Sequence, residues 1–201
     1  MNDEPPRPNR AEMRREHLLE TARTLFIEQG FHQTGVAQIA TASGIKVGQI
    51  YRDFQSKEDI IASICERDVA DWLEEDVLAA AVRTGDIPAV REWLDRFLRS
   101  DEPVEDGRLM SEIVAESGRS ARIAELNRTV DRKVRDSLSA ALTAISPRAE
   151  DSGERTALVD FILALGLGIM MRRTFDPNLR TEPLFAYVSA IVDRRIEALS
   201  A

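Results

Sequence analysis

Residues 34–57 constrain the fold of this 201-residue chain more than any other stretch. Their apolar side chains recur three or four residues apart, and a Ser43-Gly44 pair interrupts the pattern in the middle. Glycine adopts the left-handed C-cap conformation without steric cost, so this pair predicts the end of one short helix and a tight turn. A second short helix is predicted from about Val47 to Asp53, with Ile50 facing the core.

The second short helix has an outer surface that is polar and partly basic. A helix of this kind, with small residues at its start, can enter a DNA major groove. We therefore predict a helix-turn-helix DNA-binding unit. Its outward-facing or helix-start residues are Lys46, Val47, Gly48, Gln49, Tyr51 and Arg52.

The acidic charge of the chain is confined to its C-terminal part. Residues 1–57 hold 8 Lys and Arg against 7 Asp and Glu, and residues 58–201 hold 19 against 28. The corresponding balances of +1 and −9 make up the net charge of −8. This distribution excludes a strongly basic nonspecific DNA binder but allows a sequence-specific one with a few well-placed cations.

The remaining pattern predicts an all-α protein of about nine helices. An N-terminal helix should run from about Arg10 to Gln29 and end at Gly30. Another should start after Ser56, whose hydroxyl and the Asp59 carboxylate resemble a capping box, and continue to about Val82. Five further helices are predicted, one after Pro88, one before Gly118, and three over about residues 120–145, 154–173 and 182–199.

We expect three segments: a disordered arm over residues 1–9, a three-helix helix-turn-helix domain over 10–56, and a helical ligand-binding and dimerisation domain over 57–201. No signal peptide is visible, and the apolar stretch Ala157–Met171 is too short to span a bilayer, so a cytoplasmic protein without a membrane partner is expected. Cys65 is the single cysteine, which excludes an intrachain disulfide. No metal site or cofactor is predicted.

The last two predicted helices are candidates for a self-association surface. Residues 154–173 are apolar nearly all round, so more than one side of this helix must be covered. Ala164, Gly166 and Gly168 would let another backbone approach closely. Homodimerisation through residues 154–173 and 182–199 is therefore expected, and the alternative is a purely intramolecular core.

The chain resembles the TetR (tetracycline-repressor) family of transcriptional regulators over about residues 15–64. The motifs are specific only in combination, and they stand at residues 18–31 (LLETARTLFIEQGF), 34–40 (TGVAQIA), 43–45 (SGI), 48–54 (GQIYRDF) and 56–61 (SKEDII). Two positions depart from the family pattern. Gly35 and Lys46 stand where the family often has residues that cap the two short helices.

The resemblance implies a homodimer that binds a palindromic operator, represses transcription and is released by a small ligand held inside the larger domain. It also implies that the last two helices form a four-helix dimer interface. By the same resemblance Tyr51 and Lys57 contact phosphates. The residues implied in base contacts are Lys46, Val47, Gly48, Gln49 and Arg52.

Two roles on DNA can be separated by residue type. Gln49 can bond adenine through two hydrogen bonds and Arg52 can bond guanine, with phosphate contact as the alternative for each. Tyr51, Lys57, Lys46 and Thr34 would position the DNA backbone. For Thr34 a purely local capping role is the open alternative.

A ligand site in the larger domain is predicted from bulky residues on helices that should surround an interior space. Its candidate lining is Trp72, Trp93, Phe97, Met110, Ile113 and Phe161, with ordinary core packing as the alternative. Such a lining suits an apolar or amphipathic small molecule. Glu112, Glu116 and Asp160 are candidate polar anchors, unless they are solvated or paired with nearby arginines.

Two other classes of function compete with a DNA-binding regulator. An enzyme would need a nucleophile with a base, a metal cluster or a phosphate loop. His17 and His32 both fall in the predicted DNA-binding part, Cys65 has no sequence-local partner, and Gly166-Leu167-Gly168 lacks the third glycine and the strand of a dinucleotide site. The second rival is a helical ligand-binding or scaffold protein without DNA-dependent regulation.

Overall fold

The computed structural model describes residues 9–99, 103–147 and 153–200, and all regular structure in these ranges is helical. Its ten helices are α1 (Arg10–Gln29), α2 (Val36–Ser43), α3 (Val47–Asp53), α4 (Lys57–Leu73), α5 (Glu75–Thr84), α6 (Ile87–Arg99), α7 (Val104–Ser117), α8 (Ala121–Ile145), α9 (Gly153–Phe175) and α10 (Glu182–Ser200). The predicted all-α class is confirmed. Most of the predicted arm lies outside the described residues, and its last residue, Asn9, caps α1 through a capping box with Glu12.

The described residues contain one helix more than the nine predicted, because the helix expected to reach Val82 is interrupted. Glu74 adopts a left-handed conformation with φ 43°, so α4 ends at Leu73 and α5 begins at Glu75. The apolar spacing continues across this break, which is why the sequence pattern did not reveal it. Trp93 Nε1 donates a hydrogen bond to the Leu73 carbonyl at 2.7 Å, which satisfies an acceptor left free at the end of α4.

The chain forms two compact units. The first combines the described part of Met1–Asp68 with Glu112–Leu126, and the second combines Val69–Ser111 with the described part of Asn127–Ala201. The unit boundaries fall inside α4, α7 and α8 and do not coincide with the division predicted after residue 56. The segment Glu112–Leu126 joins the first unit through contacts with residues far away in sequence, which local patterns do not indicate.

The first unit has a core built from the apolar faces of α1 to α4. The ring centroids of Phe26 and Phe31 lie 5.2 Å apart at the end of α1, where Gly30 takes a positive φ of 85° as the predicted C-cap. Around them the buried side chains are Leu18, Leu19, Ala22, Ile39, Ala40, Ile50, Phe54, Ile60, Ile61 and Ile64. This core fixes the position of α3, whose remaining faces are available for contacts.

The second unit buries one face each of α5, α6, α8, α9 and α10 in a single hydrophobic cluster. The buried side chains of α9 are Leu158, Val159, Ile162 and Ile169, so its opposite face is left uncovered within the chain. Among the described helices, none combines the length and apolarity needed to cross a membrane.

Cys65 is buried on α4, and this burial raises the pKa of its thiol to about 12. The thiolate is the reactive form, so at pH 8.5 its fraction is smaller than that of an ordinary thiol by about three orders of magnitude. We expect iodoacetamide to label native protein at least about 100-fold more slowly than urea-unfolded protein, measured by mass spectrometry. Equal labelling rates would show that this part of α4 opens freely.

Candidate nucleic-acid interface

The turn between α2 and α3 has the geometry that the sequence predicts. Gly44 adopts φ 70° and ψ 10° as the left-handed C-cap of α2. The imidazole Nε2 of His17 lies 3.2 Å from the carbonyl oxygen of Ser43, the last residue of α2, so this histidine contacts the C-terminal end of α2. The turn therefore sets α3 at a defined angle to α2, as a helix-turn-helix unit requires.

Helix α3 buries one face and exposes the other. Ile50 and Phe54 are buried in the core, whereas the predicted DNA-binding side chains on the opposite faces are exposed. Because residues three or four apart share a helical face, Gly48 and Arg52 point farthest from the core. The exposed predicted residues are Lys46, Val47, Gly48, Tyr51 and Arg52.

Gln49 differs from the other predicted base-reading residues because it is half-buried. With the carboxamide assigned in the orientation that satisfies both groups, its oxygen accepts from Arg14 Nη1 at 3.1 Å and Arg14 Nε at 2.9 Å. Arg14 Nη2 also lies 3.8 Å from an oxygen of Asp53, one turn after Gln49. The structure therefore places Gln49 on the flank of α3 that faces α1.

Thr34 does not have the exposed side chain that a phosphate contact requires. It is fully buried, and its hydroxyl donates toward the carbonyl oxygens of Gly30 at 2.9 Å and Leu25 at 3.2 Å. Leu25 lies near the end of α1, and Gly30 is the C-cap of this helix. Burial and these local hydrogen bonds favour the capping role that the sequence left open for Thr34.

Lys57 forms hydrogen bonds with backbone carbonyls of the turn between α1 and α2. Its ammonium donates to the carbonyl oxygens of Phe31 at 2.6 Å and His32 at 3.4 Å, and it lies 4.3 Å from the centroid of the Phe31 ring. Desolvation by burial lowers the pKa of Lys57, while nearby Glu58 and Glu116 oppose this shift. An ammonium group has three donors, so one N–H remains for a phosphate oxygen.

Two residues of the segment Glu112–Leu126 form polar contacts with the N-terminal part of the first unit. Glu112 Oε2 accepts a hydrogen bond from the backbone N–H of Phe31 at 2.9 Å. Arg122 pairs with Asp59, whose other carboxylate oxygen accepts from the backbone N–H of Ser56 at 3.2 Å. The Asp59 N–H in turn bonds the Ser56 hydroxyl, which confirms the predicted capping box.

Three of the predicted ligand-binding residues form an aromatic cluster in the second unit. The ring centroids of Trp72 and Phe97 are 4.9 Å apart, and those of Trp93 and Phe97 are 5.4 Å apart. Trp93 is buried and the other two are partly buried against the core. Met110 is half-buried on α7 in the same unit.

The aromatic cluster does not include the other three predicted ligand residues, Met110, Phe161 and Ile113. Phe161 is 40% exposed on the uncovered face of α9, and Ile113 is buried in the first unit. The apolar character of these residues predicted that they would be covered, but it did not indicate which part of the protein would cover them. A depression of about 530 Å³ along α8 has a different lining, namely Asn127, Arg128, Asp131, Arg132 and Arg135.

The candidate polar anchors all have partners within their own units. Asp160 pairs with Arg135, which raises the pKa of that guanidinium, and Glu116 lies 3.7 Å from Arg119. Glu112 bonds the Phe31 N–H. These contacts favour the paired alternative that the sequence left open. Within the described ranges, no group of three His, Cys, Asp or Glu side chains could hold a metal ion.

Sequence reasoning missed Arg14, Glu112 and Arg122 as contributors to this site. Each acts on a residue at least 35 positions away, through contacts that periodicity and motif spacing do not encode. The only available signal was charge, since Arg14 lies outside the apolar face of α1.

The α2–turn–α3 geometry, braced by α1 and with one face of α3 exposed, defines a helix-turn-helix protein. Residues 18–64, which span this unit, match a family model described as "Bacterial regulatory proteins, tetR family". Over these residues the chain is similar to the TetR family of bacterial regulators.

Curated relatives that match the chain are named as helix-turn-helix transcriptional regulators. The transcriptional repressor KstR2 of Mycolicibacterium smegmatis is 39% identical over 69 residues, which cover 34% of this chain and 33% of the relative. The transcriptional regulator AcrR of Shigella flexneri is 34% identical over 105 residues, which cover 52% of this chain and 49% of the relative. The chain thus aligns with a third to a half of the length of these relatives, which are named as regulators and not as enzymes.

Solved structures extend the likeness of fold to nearly the whole chain. Salmonella enterica GusR has a TM-score of 0.72 at 19% identity, covering 96% of this chain and all of that one. The SmeT–triclosan complex has a TM-score of 0.73 at 19% identity, covering 92% of this chain and 91% of that one. At these identities the likeness shows the fold alone.

Proposed function

We propose that this chain is a transcriptional repressor of the bacterial cytoplasm that binds a palindromic operator as a homodimer and is released by an apolar or amphipathic small molecule. The observation that carries the proposal is the exposed face of α3, where a basic residue, a tyrosine and a glycine stand beyond a buried core. Matches to regulators named as repressors support it.

The DNA contacts divide into reading and positioning. Gly48 and Arg52 occupy the outermost face of α3, so the arginine can reach a guanine edge while the glycine allows close approach. Tyr51, which is 53% exposed, and Lys46 lie beside this face and suit phosphate contacts. Lys57 donates its remaining N–H to a phosphate of the DNA backbone. Each phosphate-contacting cation should add about one unit to the salt slope.

Selection of bound DNA from a random pool tests this function directly. A twofold-symmetric consensus is expected, with its half-sites about one helical turn or a multiple apart. The same experiment separates the repressor from a helical ligand-binding or scaffold protein without DNA-dependent regulation. A pool without any enrichment at low salt would favour that alternative.

The uncovered face of α9 and α10 supports dimerisation. Phe161, Leu167 and Tyr187 are 40%, 48% and 68% exposed, and they lie on two helices that pack against each other. A Cβ atom added at Gly168 would meet nothing within 4 Å, so packing inside the chain does not require a glycine there. A second copy would use both the apolar side chains and the space above this glycine.

The aromatic cluster of Trp72, Trp93 and Phe97 is the proposed start of an effector site, together with Met110. Apolar linings with few polar groups suit apolar or amphipathic ligands. The SmeT structure of similar fold is a complex with triclosan, which is a ligand of this chemical type. Because Met110 and Glu112 lie on the same helix, α7, a ligand that displaces α7 would act on the Phe31 contact.

Removing the Glu112 side chain should loosen the turn after α1. In Glu112→Ala the buried Phe31 N–H loses its acceptor, which costs about 1–3 kcal/mol of unfolding free energy. Glu112→Gln keeps an oxygen acceptor and should cost less than half as much. Urea unfolding gives the free energies, and hydrogen exchange at the Phe31 amide should accelerate in the alanine variant only. Unchanged exchange in Glu112→Ala would mean that another group protects this amide.

A further inference from the structure

Arg14 connects α1 to the flank of α3 that carries Gln49. The carboxamide of Gln49 is assigned with its oxygen toward α1, because in this orientation the oxygen accepts from both Arg14 Nη1 at 3.1 Å and Arg14 Nε at 2.9 Å. Asp53 lies on the same flank, 3.8 Å from Arg14 Nη2. The guanidinium group is therefore held by two residues of the helix that faces DNA.

This arrangement changes what Gln49 can offer to a base. A carboxamide has one oxygen with two lone pairs and one NH₂ group with two donors. Two N–H groups of Arg14 occupy the oxygen, so the amide N–H groups are what remain for DNA. The residue thus becomes a hydrogen-bond donor only, as long as Arg14 keeps its position.

The bases differ in how well they satisfy a donor-only side chain. Adenine pairs with glutamine through one accepted and one donated hydrogen bond, so an occupied oxygen removes half of that recognition. Guanine presents two adjacent acceptors, O6 and N7, in the major groove. Thymine presents O4 alone. Guanine is therefore the base that uses both free donors of Gln49.

We infer that Arg14 restricts Gln49 to hydrogen-bond donation and thereby directs it to guanine, in place of adenine, at one position of each operator half-site. Arg14 is a positioning residue in this scheme, because it acts through Gln49 and not on the base. The inference rests on the proposed function. It predicts a guanine contact where the glutamine side chain by itself would predict an adenine contact.

The test compares the DNA sequences that four full-length proteins select from one random pool: wild type, Gln49→Ala, Arg14→Ala and Arg10→Ala. Gln49→Ala identifies the position that Gln49 reads, because only there should base preference vanish. Wild type should prefer guanine over adenine at that position by about fivefold or more, as expected for a paired contact. In Arg14→Ala the freed oxygen should move the preference to adenine.

Arg10→Ala is the matched control. Arg10 is exposed one turn before Arg14 on α1, so its loss removes the same charge without touching Gln49. This variant should keep guanine at the position that Gln49 reads. If its preference moved as well, long-range charge and not the contact with Gln49 would explain the effect.

Two results would overturn the inference while leaving the proposed function intact. One is a wild-type preference for adenine at the Gln49-dependent position. The other is an Arg14→Ala protein that binds all sequences more weakly with its base preference unchanged. Failure of wild type to select any DNA would instead overturn the proposed function. Should Arg14→Ala melt at a much lower temperature, Arg14→Met keeps the aliphatic stem and carries the same test.

Discussion

Replacing Leu167 with arginine is expected to convert a dimer of twice 22.5 kDa into a monomer of 22.5 kDa that no longer binds its operator. Leu167 is 48% exposed in the single chain, on the face of α9 that includes Phe161 and Gly168. In the proposed dimer this side chain is covered by the second copy. An arginine would then be buried without a partner, and the desolvation of one charge costs several kcal/mol.

Operator binding should fall together with dimerisation. A monomer carries one reading helix and can occupy one half-site only, so we expect at least about a 100-fold loss of affinity for the palindrome. Sedimentation measures the mass and a gel shift measures the binding.

Val77→Arg provides the matched control for this substitution. Val77 is an exposed apolar residue of the same unit, 55% accessible on α5, and it lies outside α9 and α10. This variant should remain dimeric and bind the operator as wild type does. A Leu167→Arg protein that stayed dimeric would place the interface elsewhere on the chain.

Replacing Gly48 with glutamate should abolish operator binding while it stabilises the fold. Gly48 is exposed on α3, and a Cβ atom added there would meet nothing within 4 Å. Glycine is unfavourable inside a helix by about 0.5–1 kcal/mol relative to alanine. It stands in the first turn of α3, where a carboxylate interacts favourably with the helix dipole.

The same carboxylate would face DNA phosphates from the outermost position of α3. Like-charge contacts at an interface cost several kcal/mol, so operator affinity should fall on the order of 100-fold or more. Thermal unfolding followed by circular dichroism should show a melting temperature at or above that of wild type. The two readouts move in opposite directions, which a general loss of structure cannot imitate.

Gly48→Ala separates the stabilising effect from the electrostatic one. It should gain similar stability, with a smaller loss of DNA affinity, because it adds a methyl group without charge. Retention of full operator affinity by Gly48→Glu would show that this face of α3 does not lie against the duplex.

Local chemistry made much of the DNA-binding unit predictable. Gly30 and Gly44 end their helices with positive φ, which glycine adopts readily, and the Ser56–Asp59 capping box forms at the start of α4. These signals act within four residues, so they can be recognised without knowledge of the fold. The two helices of the motif followed from them and from apolar spacing.

Residues with the same predicted role have different surroundings where long-range contacts decide their burial. Thr34 is buried under the end of α1, whereas Tyr51 and Arg52 stay exposed. The aromatic residues Trp93 and Phe161 were both expected inside the larger domain, but the structure buries only Trp93. Periodicity identifies an apolar face but does not tell which helix, or which second copy, covers it.

The sequence by itself determined the all-α class, the turn between α2 and α3 and the exposed face of α3. The reason is that helix periodicity and capping depend on residues close together in the chain. Only the tertiary structure decided that Arg14 occupies the oxygen of Gln49, that Glu112 supports the Phe31 turn, and that Glu74 divides α4 from α5. The first two join residues 35 and 81 positions apart. Their partners are selected by how the helices pack, and no spacing along the chain encodes that choice.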